Sequence, residues 1–168
     1  MKVELLHFTP IMIAVQAIRT CYNSCDKSDE LGEKDIKLIK SIIANNHTST
    51  IEHISYNFKI SGISRACLQE LARHRIASLS VKSTRYTLRE LKSKNQDELK
   101  DYLVKISDSI DEYNRFRLAT MQALINEQNL SNDELKYMLP EAFKTELMLT
   151  INARSLRNLL ELRLSSKA

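Results

Sequence analysis

The chain has 168 residues, 43% of them hydrophobic and 27% charged, with a formal net charge of +4. That length fits one domain with a sizeable core and is short for two. The composition excludes collagen-like and low-complexity chains, and no apolar run approaches the ~20 residues of a membrane span. Glu4 interrupts the short apolar N-terminus, which is therefore a poor signal peptide. A cytoplasmic protein with no membrane partner is expected. The cysteines Cys21, Cys25 and Cys67 are odd in number, which argues against a disulfide framework. Cys21 and Cys25 could share a helix face, but no second pair follows to complete a zinc site, so ordinary thiols and no metal are expected.

The charge is uneven. Residues 59–92 carry a net +6 and the rest of the chain −2. A local positive field on a near-neutral body suits an anionic ligand held at one place better than a nucleic-acid coat.

In chain order, residues 2–8 read as a strand. Thr9-Pro10 predicts a helix start, with a hydroxyl cap and proline at the first helical position, and Ile11, Val15, Ile18 and Tyr22 follow at helical spacing. Residues 23–32 are polar and read as a loop. Residues 33–45 form a second helix, with Ile36, Ile39, Ile42 and Ile43 facing in. Residues 47–53 are a polar connection. His47 and His53 there read more readily as hydrogen-bonded structural residues than as metal ligands, since no third ligand stands at a recognised spacing.

Ile54, Tyr56, Phe58 and Ile60 alternate with polar residues, the pattern of a half-buried strand, which Gly62 is expected to end. Ser64 predicts a cap for a helix through Arg73, with Ala66, Leu68 and Leu71 among its apolar positions. Residues 79–88 read as extended and 92–97 as a linker. Residues 98–128 form the longest predicted helix, because Leu103, Ile106, Ile110, Tyr113, Arg117, Met121 and Leu124 step by three and four. Arg117 interrupts that stripe and is expected to snorkel or to pair with an acid. Residues 131–134 start a short helix that ends before Pro140. Residues 143–151 read as strand on β-branched Thr145, Thr150 and Ile151. Asn152 predicts a cap for a final helix to Arg163, with Leu156, Leu159 and Leu160 inside.

Three polar clusters are left without a core or capping purpose: residues 47–53, residues 73–86, and Asn152, Arg154, Asn158 and Arg163 on the last helix. The middle one holds three arginines, a histidine, four small hydroxyl residues and no acid, a surface for phosphate or a planar polar ring. Three clusters of one chemistry suit one large anionic ligand. The two glycines, Gly32 and Gly62, cannot build a phosphate loop, so arginines and helix N-termini must hold any phosphate. No Gly-x-Ser-x-Gly elbow surrounds Ser78, Ser80 or Ser83, and no acid can be assigned to orient His74 in a triad.

Arg73-His74-Arg75, then seven residues, then Ser83-Thr84-Arg85-Tyr86, resembles the signature of flavin-dependent thymidylate synthases. His47-x-Ser49-x-x-Glu52-His53, Ser64-Arg65-Ala66, and Asn152-Ala153-Arg154-Ser155-Leu156 with Asn158 and Leu162-Arg163 are similar to further family segments, in the same order. The resemblance implies an α+β fold, a curved antiparallel sheet flanked by helices including a long one. It implies one such domain over residues 1–168 that stops short of a helix usual in the family after Arg163. The implied activity is an FAD- and NADPH-dependent methyltransferase that converts dUMP to dTMP with 5,10-methylenetetrahydrofolate as carbon donor. A homotetramer with shared active sites is implied, and no nucleic-acid partner.

By resemblance, Ser49, Arg73, His74, Arg75, Asn152, Arg154 and Asn158 contact FAD, whereas Glu70, Arg73, Ser83, Thr84, Arg85, Lys136 and Arg163 contact dUMP. Arg163 is the catalytic residue, favouring ionisation at N3 of the uracil, and His74 donates to the flavin pyrimidine edge. Ser83 is a nucleotide ligand rather than a nucleophile. In this view residues 73–75 face the flavin and 83–85 the nucleotide. The sequence departs from the family pattern at Glu70, where glutamine is usual, at Lys136, where arginine is usual, and at Val81, where a polar residue often stands. The competing readings are a basic nucleic-acid-binding module and a helical oligomerisation protein built on residues 98–128.

Overall fold

The computed structural model describes residues 1–127 and 130–165. A four-stranded antiparallel sheet has the order β1-β2-β4-β3, with β1 at Lys2–Phe8, β2 at Ser55–Ser64, β3 at Ala77–Val81 and β4 at Lys144–Asn152. The helices are α1 (Met12–Cys21), α2 (Glu33–Ala44), α3 (Arg65–Ala72), α4 (Thr84–Thr87), α5 (Gln96–Leu99), α6 (Asp108–Glu127), α7 (Asn132–Leu135) and α8 (Ala153–Arg163). The α+β class and the long helix agree with the sequence reading. Among the described residues, no helix is long and apolar enough to cross a membrane.

Two compact units divide the chain. One comprises Met1–Val3, Ile60–Arg73 and Ser80–Leu147; the other comprises Glu4–Lys59, His74–Leu79 and the segment from Met148. The first unit is built on Leu88, Leu91, Leu99, Leu118, Met121 and Phe143. Gln122, buried among them, donates to the Leu91 carbonyl at 2.6 Å and to that of Lys94 at 2.5 Å. The second unit packs Val15 and Ile18 of α1 on Ile39 and Ile42 of α2. A smaller cluster joins Ala14 to Ile51 and Ile54.

The second unit also buries an ion pair. Arg19 of α1 donates through Nε to Asp35 of α2 at 2.7 Å, and Nη2 bonds the same oxygen. The other carboxylate oxygen accepts from the Ser28 hydroxyl at 2.7 Å and from the Leu31 amide at 3.1 Å. Burial alone would raise the Asp35 carboxyl, but the bonds from Ser28, Arg19 and Leu31 outweigh it and hold the group well below the usual carboxylate range. This network closes the loop between α1 and α2, where Glu30 and Leu31 adopt left-handed backbone.

Several expectations are corrected. Thr9 caps no helix: its hydroxyl accepts from the Ser55 amide at 3.1 Å, its own amide donates to the Ser55 carbonyl at 2.9 Å, and α1 begins at Met12. Ile36 is exposed rather than facing in, and of the residues at helical spacing in the first helix Ile11 and Tyr22 are exposed. Gly62 does not end its strand. β2 runs through it to Ser64 with Gly62 at φ +72°, a left-handed backbone that glycine adopts without the Cβ penalty. Residues 79–88 are extended only to Val81 before turning into α4. Residues 98–128 are not one helix: Leu103 bridges to Phe143, α6 begins at Asp108, and Gln128 lies outside the described residues.

Because that break resets the helical phase, the buried face of α6 is Asn114, Leu118, Met121, Gln122 and Ile125, while Ile106, Ile110 and Tyr113 are exposed. Among the described residues Arg117 pairs with no acid; its Nη2 donates to the Met138 carbonyl at 2.9 Å and its guanidinium lies over the Tyr113 ring. In α8 no residue is fully buried, and Leu156 and Leu160 instead line an open groove with Tyr56. The caps at Ser64 and Asn152 follow the sequence reading, and the strand read over residues 143–151 is observed at Lys144–Asn152.

Candidate active site

In the second unit, the last helix organises the polar residues. Asn152 closes β4 and caps α8, its side-chain oxygen accepting from the Ser155 amide at 2.8 Å. The next amide, of Ala153, donates to the Ile54 carbonyl at 2.9 Å, which seats the helix start against the 3₁₀ turn Thr48–His53. Arg154 then reaches that turn: its Nη1 lies 2.5 Å from Glu52 Oε1. Ser49 is exposed on the same turn, and Thr50 is buried beside it with its hydroxyl unpartnered. Asn158 is exposed one helical turn beyond Arg154. At the far end of α8, Arg163 Nε donates to His74 Nε2 at 3.1 Å, a contact between residues 89 apart in sequence. With Nε2 accepting, the ring hydrogen of His74 is assigned to Nδ1.

Arg75 is exposed next to His74, and Ile76 follows at φ +61°. Left-handed backbone is uncommon for a β-branched residue and costs on the order of 1–3 kcal/mol. The strain sits where the chain leaves the His74-Arg75 pair and enters β3.

The first unit holds the other group. Glu70 and Arg73 face each other across the end of α3, Oε1 to Nη1, at 3.3 Å. Glu70, the departure from the family's glutamine, thus meets a cation at the same helix end. Ser83 stands at the start of α4, where its carbonyl accepts from the Thr87 hydroxyl at 2.9 Å and its own hydroxyl makes no capping bond. Arg85 Nε lies 3.0 and 3.2 Å from the two oxygens of Asp133, and Lys136 Nζ lies 3.0 Å from Oδ1 of the same carboxylate. Hydrogen bonds from Arg85 and Lys136 hold the Asp133 carboxyl below its usual range, and the bond to Asp133 raises Arg85 in turn. Asn132, buried, donates to the Arg85 carbonyl at 2.5 Å and so fixes α4 to the start of α7.

Chain residues 4–168 match the family model described as thymidylate synthase complementing protein. The chain is 50% identical to a flavin-dependent thymidylate synthase of Helicobacter pylori strain J99 and 51% identical to one of Wolinella succinogenes. Each alignment covers all of this chain and 86% of the relative. A crystal structure of thymidylate synthase X from Helicobacter pylori with FAD and dUMP superposes with a TM-score of 0.94 at 47% identity, again over all of this chain and 86% of that one. The chain belongs to the flavin-dependent thymidylate synthase family.

The residues assigned by resemblance to FAD and to dUMP are distributed over both units. Ser49, His74, Arg75, Asn152, Arg154, Asn158 and Arg163 lie in the second unit; Glu70, Arg73, Ser83, Thr84, Arg85 and Lys136 lie in the first. The chain passes from one unit to the other between Arg73 and His74. Of the predicted residues, His74 meets Arg163 directly, Arg154 meets the turn that carries Ser49, and Arg85 and Lys136 share one carboxylate. Val81, the third departure, is the exposed end of β3.

Sequence reasoning missed three residues at these sites. Asp133 and Asn132 read only as parts of a helix start, and Glu52 as a motif residue without a partner. The one available signal was redundancy, since Ser131 and Glu134 already complete a capping box and leave Asp133 unexplained.

Proposed function

We propose that this protein is a flavin-dependent thymidylate synthase that binds FAD and reductively methylates dUMP to dTMP. What carries the reading is the contact between Arg163 and His74: the residue matched to uracil activation and the residue matched to the flavin edge touch each other at 3.1 Å. The whole-chain identity of about half to named enzymes supports it. It is favoured over a nucleic-acid module and over a helical oligomerisation protein, which leave the shared carboxylate of Arg85 and Lys136 without a purpose.

The donor set of the second unit fits FAD. Exposed Ser49, Arg75, Arg154 and Asn158 offer a hydroxyl, an amide and guanidiniums, which is the chemistry a diphosphate and a polar ring edge require. His74 and Arg163 supply directional N–H groups. FAD, once bound and reduced by NADPH, supplies the hydride that completes the methyl group. The chain's own residues do the rest. Arg163 places a permanent cation beside N3 of the pyrimidine and stabilises the anion formed there. Arg85 and Lys136, with the Ser83 and Thr84 hydroxyls, hold the nucleotide phosphate. Arg73 lies between the two groups in sequence, and its guanidinium is 3.3 Å from Glu70 at the end of α3. No enzyme nucleophile is required. The carbon comes from 5,10-methylenetetrahydrofolate, the working form is a homotetramer, and the protein acts in the cytoplasm.

Two measurements test this. Purified protein is expected to be yellow, or to take up FAD and bleach on addition of NADPH, and to release tritium from dUMP labelled at C5 when the folate is present. Protein that never binds flavin, yet binds random oligonucleotides with a steep salt dependence, would overturn the reading. For His74→Ala we expect roughly tenfold weaker FAD binding in a flavin titration, the loss of one good hydrogen bond. Unchanged flavin affinity together with an unchanged rate of flavin reduction would remove His74 from the cofactor site.

A further inference from the structure

We propose that Asp133 is an internal stand-in for the nucleotide phosphate. Its carboxylate occupies Arg85 and Lys136 until a phosphate displaces it, and so sets the affinity for phosphorylated ligands. The inference rests on the reading of Arg85 and Lys136 as phosphate ligands.

One carboxylate holds both cations, at 3.0 Å from Arg85 Nε and 3.0 Å from Lys136 Nζ. That is the geometry a phosphate would adopt between the same two groups, with an oxygen toward each. Asp133 is not needed to start its helix. The Ser131 hydroxyl accepts from the Glu134 amide at 3.3 Å, and the Glu134 carboxylate accepts from the Ser131 amide at 2.9 Å, which completes the cap without it. Nor is it needed to hold α4 against α7. Asn132, 8% exposed, does that through the Arg85 carbonyl. The backbone of Arg85 is thus fixed while its guanidinium remains free to change partner.

All three charged side chains reach solvent, at 62%, 44% and 36% exposure for Arg85, Asp133 and Lys136. Ion pairs this exposed are worth little and exchange readily. A phosphate dianion carries more charge and more acceptor oxygens than a carboxylate and wins both cations. A nucleoside without phosphate offers nothing in exchange and leaves Asp133 in place. Binding is then a substitution of one anion for another. The arrangement rejects unphosphorylated pyrimidine nucleosides and leaves no unpaired cation cluster between turnovers.

The test is calorimetric titration of dUMP, and separately of deoxyuridine, into the flavin-loaded wild type and the variants Asp133→Asn, Asp133→Ser and Asp133→Glu. Removing the competing carboxylate by either neutral substitution is expected to tighten dUMP binding by roughly 3- to 10-fold, leaving deoxyuridine unchanged. Asp133→Glu, which restores the charge, returns dUMP affinity toward that of the wild type. If wild type binds dUMP and both neutral variants bind it equally or more weakly, Asp133 positions the cations rather than competing for them, and the proposal fails alone. Equal tightening toward deoxyuridine also overturns it. If wild type does not bind dUMP at all, the functional reading fails first and takes this inference with it.

Discussion

Replacing Arg163 with alanine is expected to lower dTMP formation by about 100- to 1,000-fold, the loss typical when one preorganised donor to a developing anion is removed. FAD binding should stay within a few-fold of wild type. Arg163 is the last residue of α8, ten residues beyond Ala153, so its removal leaves the Asn152 cap and the Arg154–Glu52 contact intact. The helix start that positions the residues proposed to bind flavin in the second unit is therefore retained. The variant also frees His74 Nε2, which now accepts from Arg163. Lysine at this position keeps the charge but loses the planar fork, so Arg163→Lys should fall between wild type and alanine. Single-turnover formation of dTMP, compared with flavin titration on the same samples, separates the two effects. Turnover of Arg163→Ala close to wild type would remove this arginine from the chemistry.

The second large effect concerns stability. Asp35→Ala leaves the Arg19 guanidinium buried without its carboxylate, and strips the Ser28 hydroxyl and the Leu31 amide of their acceptor. Breaking a buried pair from one side is strongly destabilising, and for a chain of this size a fall in Tm of roughly 10 °C is expected. The sign of the pH dependence follows from the depressed carboxyl. Its stabilising contribution is fully present above the unfolded-chain value of about 4, and is lost progressively as the pH falls toward the lower folded-state value. Wild type and variant should thus differ most near neutrality and converge as the pH falls below about 4. Melting curves across that range check this, and a Tm gap that is small or constant with pH would show that the network contributes little.

Legibility in the sequence followed the range of the interaction concerned. Local signals worked. Ser64 and Asn152 cap the helices they were expected to cap, and β-branched Thr145, Thr150 and Ile151, which predict a strand over residues 143–151, lie in β4. Local signals also misled where a distant partner intervened. Thr9 has cap chemistry but spends its hydroxyl on the Ser55 amide, 46 residues away. The periodic stripe from Leu103 through Leu124 looked continuous, yet the bridge from Leu103 to Phe143 interrupts the helix and turns Ile106, Ile110 and Tyr113 to solvent. Periodicity cannot report a break imposed by a strand-like contact 40 residues on.

The cationic stretch at residues 73–86 was visible in the sequence because charge and hydroxyl content need no folding to be counted, and its motif spacing tied it to a family. Which residue each cation meets was decided by the fold. Arg85 and Lys136 converge on Asp133, Arg154 on Glu52, and Arg163 on His74, each across 48 or more residues except for Lys136. Sequence determined the inventory of donors, since that is a property of residue type. Tertiary structure determined their division between two units and, Lys136 apart, their side-chain partners, since those depend on backbone paths that bring distant segments to hydrogen-bond distance.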